Sequence, residues 1–111
     1  MITNQKKWDN YVAKNLDDPY GKCCVDIACQ AMKNLDNIII DADFNPHDLI
    51  VSSMKEIGKS GITGFMAGAI AKMVVDCHDK GKEFNNAWNK HCGGSRQEKG
   101  TINPAIITIK R

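Results

Sequence analysis

The sequence predicts an all-α fold of about five helices packed around one central buried helix, residues 62–80. Three observations carry that expectation. Apolar residues recur at three- and four-residue intervals through most of the chain. The breaks between these runs are Asp-Pro, Asn-Pro or glycine-rich, which stop one helix and start the next. The longest apolar stretch, residues 62–75, is apolar on two sides, as a helix in the middle of a bundle must be.

Taken in order, residues 1–4 read as a loose end. Residues 5–16 then form a short amphipathic helix with Trp8, Tyr11, Val12 and Leu16 on its buried stripe. Asp18 is placed to cap a second helix, and Pro19 fits its first position, where no N–H is needed. That helix, residues 19–35, buries Tyr20, Cys24, Ile27, Ala28, Ala31 and Leu35, with Cys23 and Met32 flanking the stripe. The run Ile38, Ile39, Ile40 favours extended backbone but is too short to define a strand alone. Asn45 and Pro46 repeat the cap-plus-proline signature, and Asp48 suits the following N-terminus. The third helix, residues 46–57, buries Leu49, Ile50, Met54 and Ile57.

The sequence GKSG at 58–61 ends it. The central helix presents Ile62, Met66, Ala69, Ile70, Met73 and Cys77 on one face. Gly64, Gly68, Ala71, Val75 and His78 lie on a second face of mostly small residues. Lys72, Asp76 and Lys80 form a narrow exposed edge with i,i+4 pairing. Gly81 reads as its C-cap. A fifth helix over residues 82–91 carries Phe84, Ala87, Trp88 and His91 on one face. Residues 93–103 read as a flexible polar stretch. The apolar residues 104–109 either dock on the core, pair with 38–40 in a minor two-stranded element (106–109 with 38–40), or exchange with a neighbouring subunit. The whole chain, 1–111, is one helical domain by size.

Composition narrows the classes. The 111 residues are 42% hydrophobic and 25% charged, ordinary for a globular protein. Aromatics are only 6%, so the core must be aliphatic, methionine and alanine. The net charge of +2 hides a basic end: seven lysines and arginines from Lys80 onward face Glu83 and Glu98. Such an end attracts acidic partners or nucleic acid, or is a solvated tail. No apolar leader and no stretch long enough to span a membrane is present, so a cytoplasmic protein with its five cysteines reduced is expected.

No motif declares a reaction. GKS at 58–60 is half of a phosphate loop, but the leading glycine would fall at position 53, which is Ser53. What remains is a glycine-rich helix start with Lys59, Ser60 and Thr63 able to meet one phosphate, against the plain reading of a helix-to-helix turn. Cys77-His78 and His91-Cys92 mirror each other, yet the spacing is not a zinc spacing and neighbouring side chains on a helix diverge. Cys23, Cys24 and Cys29 form no CxxC, and no cysteine is marked as activated. Trp88, followed by Asn89, His91 and Arg96, is the best recognition feature, because indole fills a partner's pocket or stacks on a base. The competing reading packs Trp88 on the central helix.

GITGFMAG at 61–68, the His-Gly helix end around 78–81, Trp88-Asn89, Asn103-Pro104-Ala105, DDPYG at 17–21 and NPHDLI at 45–50 together resemble a group of small proteins encoded by phages and prophages of Gram-positive bacteria. The likeness covers most of the chain and departs at residues 37–44, where an isoleucine run replaces a polar turn. That group has no established activity, so the resemblance carries over no residue roles. It implies a phage-encoded protein acting in the cytoplasm of an infected cell, where proteins of this size inhibit host systems, CRISPR nucleases included, or trap nucleotide immune signals. The leading expectation is therefore a non-enzymatic interaction protein, without cofactor or metal, that binds and inhibits a host defence protein such as a CRISPR nuclease. The alternatives are an oligomeric binder that sequesters a nucleotide signal, and a nucleic-acid binder. The candidate contact residues are Lys59, Ser60, Thr63, Trp88, Asn89, His91 and Arg96. The small-residue face and the apolar tail favour a homo-oligomer.

Overall fold

A computed structural model of the chain describes residues 1–93. It contains α1 (Gln5–Lys14), α2 (Pro19–Leu35), α3 (Pro46–Glu56), α4 (Gly64–Cys77) and α5 (Gly81–Trp88), followed by a π-helical turn, Asn89–Gly93. Among the described residues there is no sheet, and the fold is all-α. The expected pairing of 38–40 with 106–109 and the stretch after residue 93 lie outside the described residues.

Local chemistry sets the helix starts. The Asp18 side chain accepts from the Tyr20 amide, and Pro19 opens α2. Asn45 accepts from the amides of His47 and Asp48 ahead of Pro46. Thr63 accepts from the Met66 amide at the start of α4. Each cap satisfies a backbone donor that the helix itself cannot. α4 packs against all four other helices, so the central-helix expectation holds. Its Ile70, Val74 and Cys77 are fully buried, as are Ile27 and Leu35 of α2 and Ile50 of α3. Ser53 of α3 is buried among them. Its hydroxyl donates to the Leu49 carbonyl at 2.7 Å and accepts from Asn34 at 2.9 Å, which joins α3 to α2 without an unsatisfied polar group.

Several expectations need correction. First, α1 stops at Lys14, because Asn15 turns back and donates from its side chain to the Tyr11 carbonyl at 2.8 Å; Leu16 is thereby left 61% exposed instead of buried. Second, Tyr20 sits in the first turn of α2, which overhangs the core, and is 43% exposed. Third, α4 ends at Cys77 rather than at Lys80. His78 leaves the helix in extended conformation (ψ 147) and forms an antiparallel bridge with Ile2.

Fourth, residues 1–4 are therefore held, not loose. The amides of Thr3 and Asn4 donate to the Cys77 carbonyl, and the Asp79 amide donates to that of Met1. Fifth, Gly81 is not a C-cap but the first residue of α5. A Cβ there would stand 2.2 Å from the Val75 carbonyl oxygen, so a glycine is what lets α5 turn back against α4.

Lys80, expected on an exposed edge, reaches across instead. Its ammonium donates to the Leu35 carbonyl at 2.9 Å and the Ile38 carbonyl at 2.6 Å. It thereby closes the C-terminal end of α2, where a cation is favoured by the aligned peptide dipoles.

Candidate functional site

Sequence reasoning pointed to the turn before α4 and to the exit from α5. At the turn, Gly58 and Gly61 adopt positive φ (76° and 81°). The Gly58 amide donates to the Lys55 carbonyl and the Lys59 amide to that of Met54, both at 3.0 Å. This is a Schellman helix end, so two of the backbone donors that a phosphate would need are already engaged. Thr63 is engaged as the α4 cap. The Lys59 ammonium, on a half-buried residue, and the exposed Ser60 hydroxyl have no partner among the described residues.

At the exit, Trp88 is 7% exposed and stacks on Phe84 with ring centroids 6.4 Å apart. Phe84 meets Phe44 edge-on at 6.0 Å. The indole is thus part of the core. The fifth helix was expected to carry His91 on the Trp88 face, but the π-turn holds more residues per turn than an α-helix and rotates His91 off it. His91 is exposed and lines an open cleft of about 260 Å³ with Lys90, Asp41, Glu83 and Asn86. Asn89, one of the candidate contact residues, is half-buried, and its Oδ1 is buried without a hydrogen-bond partner among the described residues. Arg96 lies outside the described residues, as do Lys99, Lys110 and Arg111 of the basic end. The cleft that takes in His91 contains none of Lys59, Ser60 or Thr63.

Three constellations were missed. One surrounds the buried His78. Its Nδ1 lies 2.9 Å from both the Lys80 amide and an Asp79 carboxylate oxygen, and its Nε2 lies 2.7 Å from an Asp36 carboxylate oxygen and 2.9 Å from the Met1 ammonium. The Met1 ammonium donates to Asp36 and, at 2.9 Å, to Asp79. The donor atoms of Asp36, His78 and Asp79 lie within 4.8 Å of one another, a spacing that also suits a metal ion. The positive charge among them is the Met1 ammonium, which contacts all three side chains.

The ammonium's hydrogen bond holds the Asp36 carboxyl below its ordinary value, against burial, and does the same for Asp79. Burial pushes the ammonium down, but the two carboxylates outweigh it and hold it above 8.0. A comparable structural knot ties α1 to α4. Tyr11 donates to Asp76 at 2.5 Å, with Lys72 at 3.2 Å and Lys7 at 3.6 Å. Neither constellation contains an activated nucleophile. Burial pushes the thiols of Cys24 and Cys77 up, away from reactivity.

The third missed constellation is apolar and faces water. Phe65 of α4 is 78% exposed, and its ring lies 6.4 Å from that of Tyr20 at a 31° tilt. Leu16, at the neighbouring α1–α2 corner, is exposed too. Beside Phe65, Gly64 and Gly68 leave open space: a Cβ built on either meets nothing within 4 Å. A signal for this ridge was present in the sequence. Phe65 stands seven residues before Lys72, hence on the narrow charged edge of α4, where a phenylalanine has no core to enter.

The fold is a small all-α domain, and the comparison with known families places the chain among phage-type inhibitors of bacterial defence. It belongs to the family of the type I Thoeris inhibitor Tad4, whose profile matches residues 1–111. No curated protein and no solved structure matches the chain. The system named by the family is Thoeris, and nothing in the comparison points to a CRISPR nuclease. Among the described residues, no helix is long and apolar enough to cross a membrane.

Proposed function

We propose that the protein is a non-enzymatic inhibitor that binds a protein component of the type I Thoeris system and blocks it by occupancy. The observation that carries this reading is the Tyr20–Phe65 ridge. A phenylalanine left 78% in water in the exposed first turn of the central helix costs solvation that a bound partner recovers. Aromatic side chains of this kind are the usual energetic centres of protein interfaces. The bare backbone at Gly64 and Gly68 lets a partner come close on both sides of the ring.

Sequestration of a nucleotide signal is supported less well. The clefts beside His91 and beside Met1 measure about 260 and 290 Å³ and are open to solvent. Sites that enclose a ligand of nucleotide size are usually larger, roughly 300–1,000 Å³.

The test uses each purified protein of a type I Thoeris system and a panel of cyclic and ADP-ribose nucleotides. Calorimetric titration is expected to find one protein component that binds the chain, while no nucleotide raises its melting temperature. A nucleotide that raises it by several degrees, with no protein bound, reverses the conclusion in favour of sequestration.

A further inference from the structure

The ridge has a charge pattern as well as a shape. It is built from two stretches, residues 15–21 and 60–71. Within these nineteen positions the only charged side chains are Asp17 and Asp18. Asp18 is fixed beside the ridge, because its carboxylate takes the Tyr20 amide at 3.2 Å. Both aspartates are exposed, and neither pairs with a cation among the described residues. The lysines that follow the two stretches are already engaged: Lys22 with Asp26 at 3.7 Å, and Lys72 with Asp76 at 3.2 Å. Lys14 and Lys59 stand just before them, so the negative field is local to the Leu16–Tyr20 end.

We infer that the ridge docks into an apolar pocket of a host protein whose border carries basic side chains next to the point where Tyr20 lands. The inference rests on the protein-binding reading above and adds the chemistry of the partner surface. Phe65 supplies the part that enters the pocket, since it is the most exposed of the ridge's three large apolar side chains and is flanked by glycine. Asp17 and Asp18 supply the orientation, because unpaired carboxylates at the rim of an apolar contact steer a cationic partner and discriminate against an anionic one. A nucleotide is the poorer occupant for the same reason. Its phosphates would be brought up against two carboxylates with no cation between them.

Association and dissociation kinetics with the Thoeris protein identified above test this directly. The variants are Asp17→Lys, Asp17→Asn and Phe65→Ala; Asp18 is left alone because it caps α2. Asp17→Lys is expected to slow association about 3- to 10-fold at low salt, Asp17→Asn less, and the difference is expected to close at high salt. Phe65→Ala is expected to leave association nearly unchanged and to speed dissociation about tenfold or more.

If Phe65→Ala weakens binding while Asp17→Lys leaves association unchanged or speeds it, the basic border is wrong and the ridge stands. If Phe65→Ala has no effect on binding, the ridge itself is wrong and this inference goes with it. A homodimer that Phe65→Ala dissociates, with host-protein binding intact, assigns the ridge to a second copy and likewise overturns the inference. So does the finding that no Thoeris protein binds at all.

Discussion

Phe65→Ala and Phe84→Ala make the same chemical change at opposite exposures, and together they separate the ridge from the core. Phe84 is fully buried between Phe44 and Trp88. Its truncation removes apolar burial and leaves a cavity, at a cost of about 3–5 kcal/mol. For a domain of this size that lowers the melting temperature by at least about 12 °C. Phe65 is 78% exposed, so its truncation forfeits little beyond the contact with Tyr20. Alanine also has the better helix propensity, by up to about 0.5 kcal/mol, which offsets the loss. The melting temperature is expected to move by less than about 4 °C.

Binding reverses the order. Burying a whole phenylalanine side chain is worth about 1.5–3 kcal/mol, and scaling this by the exposed fraction leaves about 1.2–2.3 kcal/mol for the complex. Phe65→Ala should therefore raise Kd about 7- to 50-fold. Differential scanning calorimetry and titration against the Thoeris component measure the two quantities. A Phe65→Ala protein as destabilised as Phe84→Ala, or one that binds and inhibits like wild type, would refute the assignment of Phe65 to the outside.

Acid is expected to act through Asp36, Asp76 and Asp79. Burial pushes the Asp76 carboxyl up, but the Tyr11 hydroxyl and the two lysines outweigh it, and all three aspartates sit below the ordinary 3.8. Their contribution to stability is present above pH 3.8 and is lost as pH falls through their lower folded values; Asp76→Asn should flatten that limb of a melting-temperature profile against pH. The Met1 ammonium, held above 8.0, contributes fully below pH 8.0 and loses its contribution as pH rises through the folded value. Gly81→Ala forces a Cβ onto the Val75 carbonyl and should cost about 1–3 kcal/mol by urea denaturation. Gly21→Ala, whose clash is with the movable Asn15 side chain, should cost less. Lys80→Met leaves the Ile38 carbonyl without its donor and the Leu35 carbonyl with the Ile38 amide alone, with an expected loss of about 1–2 kcal/mol in the same assay.

What was legible in the sequence was what local spacing encodes. Asp18-Pro19 and Asn45-Pro46 set the starts of α2 and α3, and the apolar stripe of α4 fixed the centre of the core. What was not legible depends on residues distant in the chain. The antiparallel contact of Ile2 with His78, and the meeting of Met1, Asp36 and Asp79, leave no local pattern. The His78 turn therefore looked like the continuation of a helix. The π-turn was invisible for a different reason: Asn89 to His91 satisfy a helical period equally well on paper, and only packing decides the extra residue. Tyr20 was assigned to the core by spacing alone, although it lies in a first turn that extends past the helices beneath it. Phe65 was legible in principle, on the edge shared with Lys72 and Asp76, but it belongs to neither of the two apolar faces that drew the assignment.

Gly68 lies inside α4 with open space where a methyl group would go. Alanine there should raise stability by about 0.5–1 kcal/mol, because glycine is the costlier residue in a helix. It would also place a methyl group beside the ring of Phe65. The chain thus forgoes an easy gain in stability at the one place where a smooth helix surface would thicken the base of its projecting ring. Gly68→Ala, more stable and less inhibitory, would show fold and function pulling in opposite directions on a single carbon atom.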